Sequence, residues 1–147
     1  MTKSAEPETP AQADYELLAQ FRLALRRFSA FSAAAAQAAG LPPQQHQALL
    51  AIKGGPAGQA MTIGVLAEQL FVAPHTATEL AGRLVRAELV TQTADPDDRR
   101  RQTLALTAEA EAMLARLSAV HLAEIREMAP RLIATLQSLG ASGPRKP

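Results

Sequence analysis

The chain of 147 residues contains no cysteine. That excludes disulfides, thiolate metal sites and thiol redox sensing. Although 48% of the residues are hydrophobic, no apolar run approaches the ~20 residues that a membrane span requires. Met1 to Gln12 lacks the apolar stretch of an export signal. The histidines His46, His75 and His121 stand far apart, without metal-ligand spacing. The glycine-rich segment Gly54-Gly55-Pro56-Ala57-Gly58 lacks the lysine of a nucleotide-binding loop. With no nucleophile–base pair, paired carboxylates or metal set in evidence, no catalytic residues are assigned and an enzyme is not expected. These absences together predict a soluble, cytoplasmic protein with no resident cofactor or metal and no membrane partner.

Net positive charge is also scarce, at only +1. The average hides a cluster, because Arg99, Arg100 and Arg101 are consecutive and Arg83 and Arg86 lie just upstream. A small basic site on a balanced protein fits nucleic acid, with modest non-specific affinity because few phosphates are neutralised.

Composition predicts a disordered tail over 1–13, a single domain over 14–139 and a second disordered tail over 140–147. Asp14 is placed to cap a first helix. In that helix Leu18, Phe21, Leu25, Phe28, Ser32, Ala35 and Ala39 recur at helical spacing. Gly40 and Pro42-Pro43 stop it. A second helix is expected from Pro43 to Lys53, with Leu49, Leu50 and Ile52 facing inward. Thr62 caps a short helix carrying Val65, Leu66 and Leu70. Pro74 suits the first turn of the next helix, which runs to about Ala87 and buries Ala77, Leu80, Ala81 and Leu84. Leu89 to Thr93 and Gln102 to Leu106 are β-compatible. Thr107 caps a long helix whose apolar stripe is Met113, Leu117, Val120 and either His121 or Glu124. Pro130 is expected to start a last helix carrying Leu132, Ile133, Leu136 and Leu139.

Helix, turn, helix and then a charged hairpin is the layout of a winged helix. The expected class is therefore mainly α, a winged helix-turn-helix with a small β-hairpin wing and long terminal helices. Neither end helix can hide its apolar stripe on so small a core, so the two are expected to pair with each other and with a second copy.

The segment from Leu66 to Leu80, with Arg83-Leu84, Leu89-Val90, Asp95-Pro96-Asp97-Asp98-Arg99-Arg100 and Leu106-Thr107, resembles the MarR-type transcriptional regulators. The likeness spans about Thr62 to Leu114. It implies dimerisation helices at about 14–40 and 108–139 around a winged helix-turn-helix at about 43–107. It further implies a homodimer on a pseudo-palindromic operator in double-stranded DNA, usually as a repressor released by a small aromatic or phenolic ligand. Five positions depart from the pattern. Glu88 stands where glycine often ends the recognition helix, and Glu79 where a basic residue is common. Gln92 and Thr93 replace basic residues, and Ala110 replaces a glycine.

For DNA contact, Pro74, His75, Thr76 and Thr78 lie at the start of the recognition helix, where short polar groups meet base edges. Glu79 could accept from a cytosine or pair with Arg83, and Arg83 is expected on a phosphate. Thr62 stands at a helix N-terminus, which favours phosphate. At the wing tip an arginine could enter the minor groove. The resemblance makes Arg99 or Arg100 the inserting residue, with Asp98 expected to hold the Arg99 guanidinium and Arg101 turned toward the domain or a phosphate. A ligand slot could draw on Phe21, Arg22, Phe28 and His46. The alternative reading is a helical protein-interaction module that has lost DNA binding.

Overall fold

The computed structural model describes residues 8–141; the outer parts of both expected tails, 1–7 and 142–147, lie outside them. The element order is α1 (Gln12–Ala38), α2 (Pro43–Lys53), α3 (Ile63–Leu70), α4 (Pro74–Arg86), β1 (Val90–Ala94), β2 (Gln102–Leu106) and α5 (Ala108–Ala141). The chain divides into two units. One holds Ser32–His121, and the other holds α1 up to Phe31 with α5 from Leu122 onward.

In the Ser32–His121 unit, α1 ends where Gly40 turns left-handed with φ +78. The N–H of Leu41 then reaches the Ala36 carbonyl at 2.9 Å, and that of Gly40 reaches Gln37 at 2.9 Å. This pair of bonds satisfies carbonyls the helix end would leave open. α2 begins with proline in its first turn, as expected, and buries Ala48, Leu49 and Ile52 against α3, α4 and β2. Leu50 does not face inward as expected; it is exposed. It lies 100° around the helix from Leu49, beyond the stripe that Ala48, Leu49 and Ile52 define.

Leu49, Leu66 and Leu84 are the largest fully buried side chains of this unit and join α2, α3 and α4 in one core. The small residues Ala77, Ala81 and Ala110 are also fully buried and let the helix backbones approach. β1 and β2 pair antiparallel, with Val90 opposite Leu106 and Ala94 opposite Gln102. Thr107 caps α5 by accepting the Ala110 N–H at 3.3 Å. The inner stripe of α5 in this unit is Ala110, Leu114, Leu117 and His121, with Met113 half-buried beside it. Val120, expected in that stripe, is exposed, because Leu114, Leu117 and His121 at spacings of three and four set a face that excludes it.

In the second unit α1 starts at Gln12, and Asp14 does not precede it. Its carboxylate reaches back from the first turn to accept the Ala11 N–H at 2.8 Å, which also places negative charge at the positive end of the helix. Phe21 and Phe28 are half-buried, whereas Leu18 and Leu25 of the expected stripe are exposed. The last helix expected from Pro130 is not separate, because Pro130 lies inside α5. The proline withholds one N–H from the Arg126 carbonyl. Pro130 is exposed, so water can take that carbonyl, and the bonds of a 34-residue helix hold on either side.

Candidate nucleic-acid interface

The Ser32–His121 unit carries a helix-turn-helix. α3 opens at Thr62, whose Oγ1 accepts the Val65 N–H at 3.3 Å. That leaves the Thr62 hydroxyl proton available to an outside acceptor such as a phosphate. The same residue bridges Thr103 of β2, and the Leu104 N–H donates to the Met61 carbonyl at 2.8 Å. The start of α3 is thus tied to the base of the wing. α3 closes on Phe71, a left-handed residue at φ 56. The Val72 N–H folds back onto the Ala67 carbonyl at 3.0 Å, and Pro74 begins α4 at once.

The two faces of α4 separate cleanly. Ala77, Leu80, Ala81 and Leu84 are buried. His75, Glu79, Gly82 and Arg86 run up the opposite side, and of these His75, Glu79 and Arg86 are exposed. Thr76 is half-buried on one flank with exposed Arg83; exposed Thr78 stands on the other. The Thr78 hydroxyl donates to the Pro74 carbonyl at 3.0 Å, so only its lone pairs and methyl group remain for a partner. Arg86 completes this outward row and was not among the candidates. The spacing of 75, 79, 82 and 86 carries it, because four and three residues repeat one helix face. Gly82 lies in the middle of the row, and a Cβ there would meet only the Arg86 guanidinium at 3.6 Å.

At the wing tip the loop is closed by the Asp95 N–H on the Arg101 carbonyl at 2.8 Å and the Arg101 N–H on the Asp98 carbonyl at 2.9 Å. Two carboxylates shape the turn inside it. Asp95 Oδ1 accepts the Asp97 N–H at 2.9 Å, and Asp98 Oδ1 accepts the Arg100 N–H at 3.0 Å. Asp98 therefore organises the backbone under the arginines, and among the described residues no ion pair joins it to the Arg99 guanidinium. Arg99, Arg100 and Arg101 are all exposed. Their guanidinium groups stand free of carboxylates among the described residues.

The residues considered for a ligand do not gather in one place. Phe28 lines a groove of about 870 Å³ in the terminal-helix unit, with Leu23, Arg27, Met128, Arg131 and Leu132. Phe21 and Arg22 are not among its walls. His46 belongs to the Ser32–His121 unit, where it is buried beside His121. Among the described residues no cluster of histidine, aspartate and glutamate could hold a metal ion, and no helix is long and apolar enough to cross a membrane.

A helix-turn-helix whose second helix presents a polar face, followed by a two-stranded wing, defines a winged helix-turn-helix module. Residues 39–101, from just past the end of α1 through the wing tip, match the model of the MarR family. Solved structures agree in fold. YusO from Bacillus subtilis is 20% identical at a TM-score of 0.62, over 92% of this chain and 95% of that one. AbsC, a MarR family transcriptional regulator from Streptomyces coelicolor, is 18% identical at 0.68, over 82% and 80%. A point mutant of MepR from Staphylococcus aureus, solved bound to an oligodeoxyribonucleotide, is 18% identical at 0.63, over 87% and 96%. The fold is that of MarR-family transcriptional regulators, mainly helical with long terminal helices and a two-stranded hairpin. No curated protein sequence matches the chain significantly.

Proposed function

We propose that the protein is a sequence-specific regulator of transcription that binds a pseudo-palindromic operator in double-stranded DNA as a homodimer. The observation that carries this reading is the pairing of two features in one module. The outward row of α4 offers His75, Glu79 and Arg86, its flanks offer Thr76, Thr78 and Arg83, and the wing offers three exposed arginines on a turn organised by Asp98. The first suits the major groove and the second the backbone or the minor groove. The MepR mutant of similar fold was solved on an oligodeoxyribonucleotide, which supports the reading.

Repression of the MarR type, relieved by a small aromatic acid, is the finer form of the proposal. The groove lined by Phe28, Leu23 and Met128 offers an apolar wall to such a molecule, with Arg27 and Arg131 as cations that Glu124 and Glu127 in the same lining also attract. A ligand of this kind acts only if it prefers the DNA-incompetent state.

One observation favours the protein-interaction module instead. Phe71 is 99% exposed at the turn between α3 and α4, beside Val72. The test is binding of the purified protein to DNA from immediately upstream of its own gene, titrated across salt. Tight, sequence-dependent binding with a negative salt slope is expected. Absence of binding at every salt concentration, before and after unfolding and refolding to strip bound molecules, overturns DNA reading and leaves the interaction module.

A further inference from the structure

Two histidines meet inside the Ser32–His121 unit. The ring centroids of His46, on α2, and His121, on α5, lie 4.8 Å apart at an interplanar angle of 42°. Their exposures are 3% and 9%. His121 is fully engaged, with Nδ1 2.7 Å from the Leu117 carbonyl and Nε2 2.8 Å from the Ser32 hydroxyl of α1. A carbonyl only accepts, so Nδ1 of His121 carries a proton, and with that ring neutral the Ser32 hydroxyl donates to Nε2.

His46 is different. Its Nδ1 is buried and has no hydrogen-bond partner. In the neutral ring that nitrogen can remain a bare lone pair. In the charged ring both nitrogens carry protons, so protonation would put an N–H into the interior with no acceptor and a positive charge beside a second imidazole. Water offers both solvation and acceptors once the packing opens.

We propose that His46 is a built-in proton sensor, whose protonation drives α2 away from His121 and the Ser32 hydroxyl and loosens the platform beneath the helix-turn-helix. α2 packs on α3, α4 and β2, so its displacement reaches the elements that shape the DNA face. The proposal concerns the packing itself and does not rest on DNA recognition.

The surroundings leave the sensor uncompensated. Burial, and secondarily the charge His121 can carry, hold the His46 pKa below its ordinary 6.5. From α5 the titratable group facing it is His121, and α1 contributes the neutral Ser32 hydroxyl. The charged side chains on the packed elements are Glu68 on α3, Glu79, Arg83 and Arg86 on α4, and Glu109, Glu111 and Arg116 at the start of α5. All are exposed or half-exposed, and none contributes to the shift.

The direction of the effect follows. The unfolded or opened chain binds the His46 proton at the ordinary 6.5 and the closed fold binds it only at lower pH. Stability is therefore full above pH 6.5, falls as pH drops from 6.5 toward the depressed value, and is level below it.

Hydrogen exchange and urea unfolding of the full chain between pH 5 and 8, with a parallel NMR titration of the imidazole rings, test this. The wild-type ring of His46 should titrate below 6.5, and opening should rise by up to about tenfold per pH unit within the window. His46→Leu and His46→Gln should flatten that slope, while His46→Leu keeps near-wild-type stability at pH 8. A His46 ring titrating at or above 6.5, or an unchanged slope in both variants, overturns the proposal. Should neither variant fold, the wild-type ring titration decides alone.

Discussion

The hydroxyl of Thr107 donates to the carbonyl of Glu88 at 2.8 Å. The same oxygen accepts the Ala110 N–H at 3.3 Å, and the Thr107 N–H reaches the Leu89 carbonyl at 3.0 Å. One residue therefore closes the end of α4, the root of the wing and the start of α5. Thr107→Ala removes a helix cap and the Glu88 link together. It should cost about 1–2 kcal/mol, read as a lower urea midpoint with an unchanged slope. Thr107→Ser keeps both bonds and should retain most of the stability. Equal loss in the two variants would assign the effect to the methyl group instead.

Glu88 itself is held in the left-handed region at φ 59, just past the end of α4. A side chain there crowds the following carbonyl, which costs roughly 1–2 kcal/mol; glycine avoids this but loses more entropy on folding. The net expectation for Glu88→Gly is a gain of up to about 1 kcal/mol in urea unfolding. Removing the acid beside the proposed DNA face should also strengthen operator binding slightly at low salt. A lower urea midpoint in this variant would show that the glutamate side chain makes a contribution larger than its strain.

Much of the fold is legible in the sequence where contrast is sharp. α4 alternates apolar and polar residues at strict helical spacing, so its four buried positions and its first-turn proline can be read directly. Gly40, Thr62 and Thr107 are punctuation whose chemistry is local. Pattern misleads where the direction of the core matters. Leu50 and Val120 are apolar neighbours of buried residues, and spacing alone does not say on which side of the stripe they fall. Pro130 has a local effect that suggests a helix start, and a long helix with an exposed proline absorbs it. At the site, Arg86 emerges only when the outward row is followed past Gly82 to the last turn of α4. The role of Asp98 is not legible, because a carboxylate beside arginines suggests an ion pair and only the loop's backbone path shows that it binds an N–H instead.

The terminal-helix unit leaves Tyr15, Leu18 and Leu25 on α1 and Leu122, Ile125, Ile133 and Leu136 on α5 substantially exposed. Each is about half exposed, so burying the rest of one such side chain is worth about 1 kcal/mol, and a monomer leaves that surface in water. The chain should therefore sediment as a dimer at micromolar concentration. Ile133→Glu should raise the dissociation constant at least about tenfold, on the order of 1.4 kcal/mol, with the helical circular dichroism kept. A clean monomer of the wild-type chain at micromolar concentration would contradict the assignment of these faces to a second copy.

The wing separates charge from shape. Arg99→Ala with Arg100→Ala removes two exposed guanidinium groups and leaves the Asp98 turn, which is made by backbone N–H groups. Operator affinity should fall at least about tenfold and the salt slope by about 0.9 for each phosphate no longer neutralised, while the urea midpoint stays put. Asp98 gives the complementary result. Asp98→Asn keeps an oxygen to accept the Arg100 N–H and deletes a negative charge, so it should bind at least as tightly as the wild type. Asp98→Ala loses the acceptor, lets the tip lose its turn and should bind more weakly despite carrying the same net charge as the Asn variant. Equal affinity of the Ala and Asn variants would show that the turn plays no part, and unchanged affinity of the double arginine variant would remove the wing from the interface.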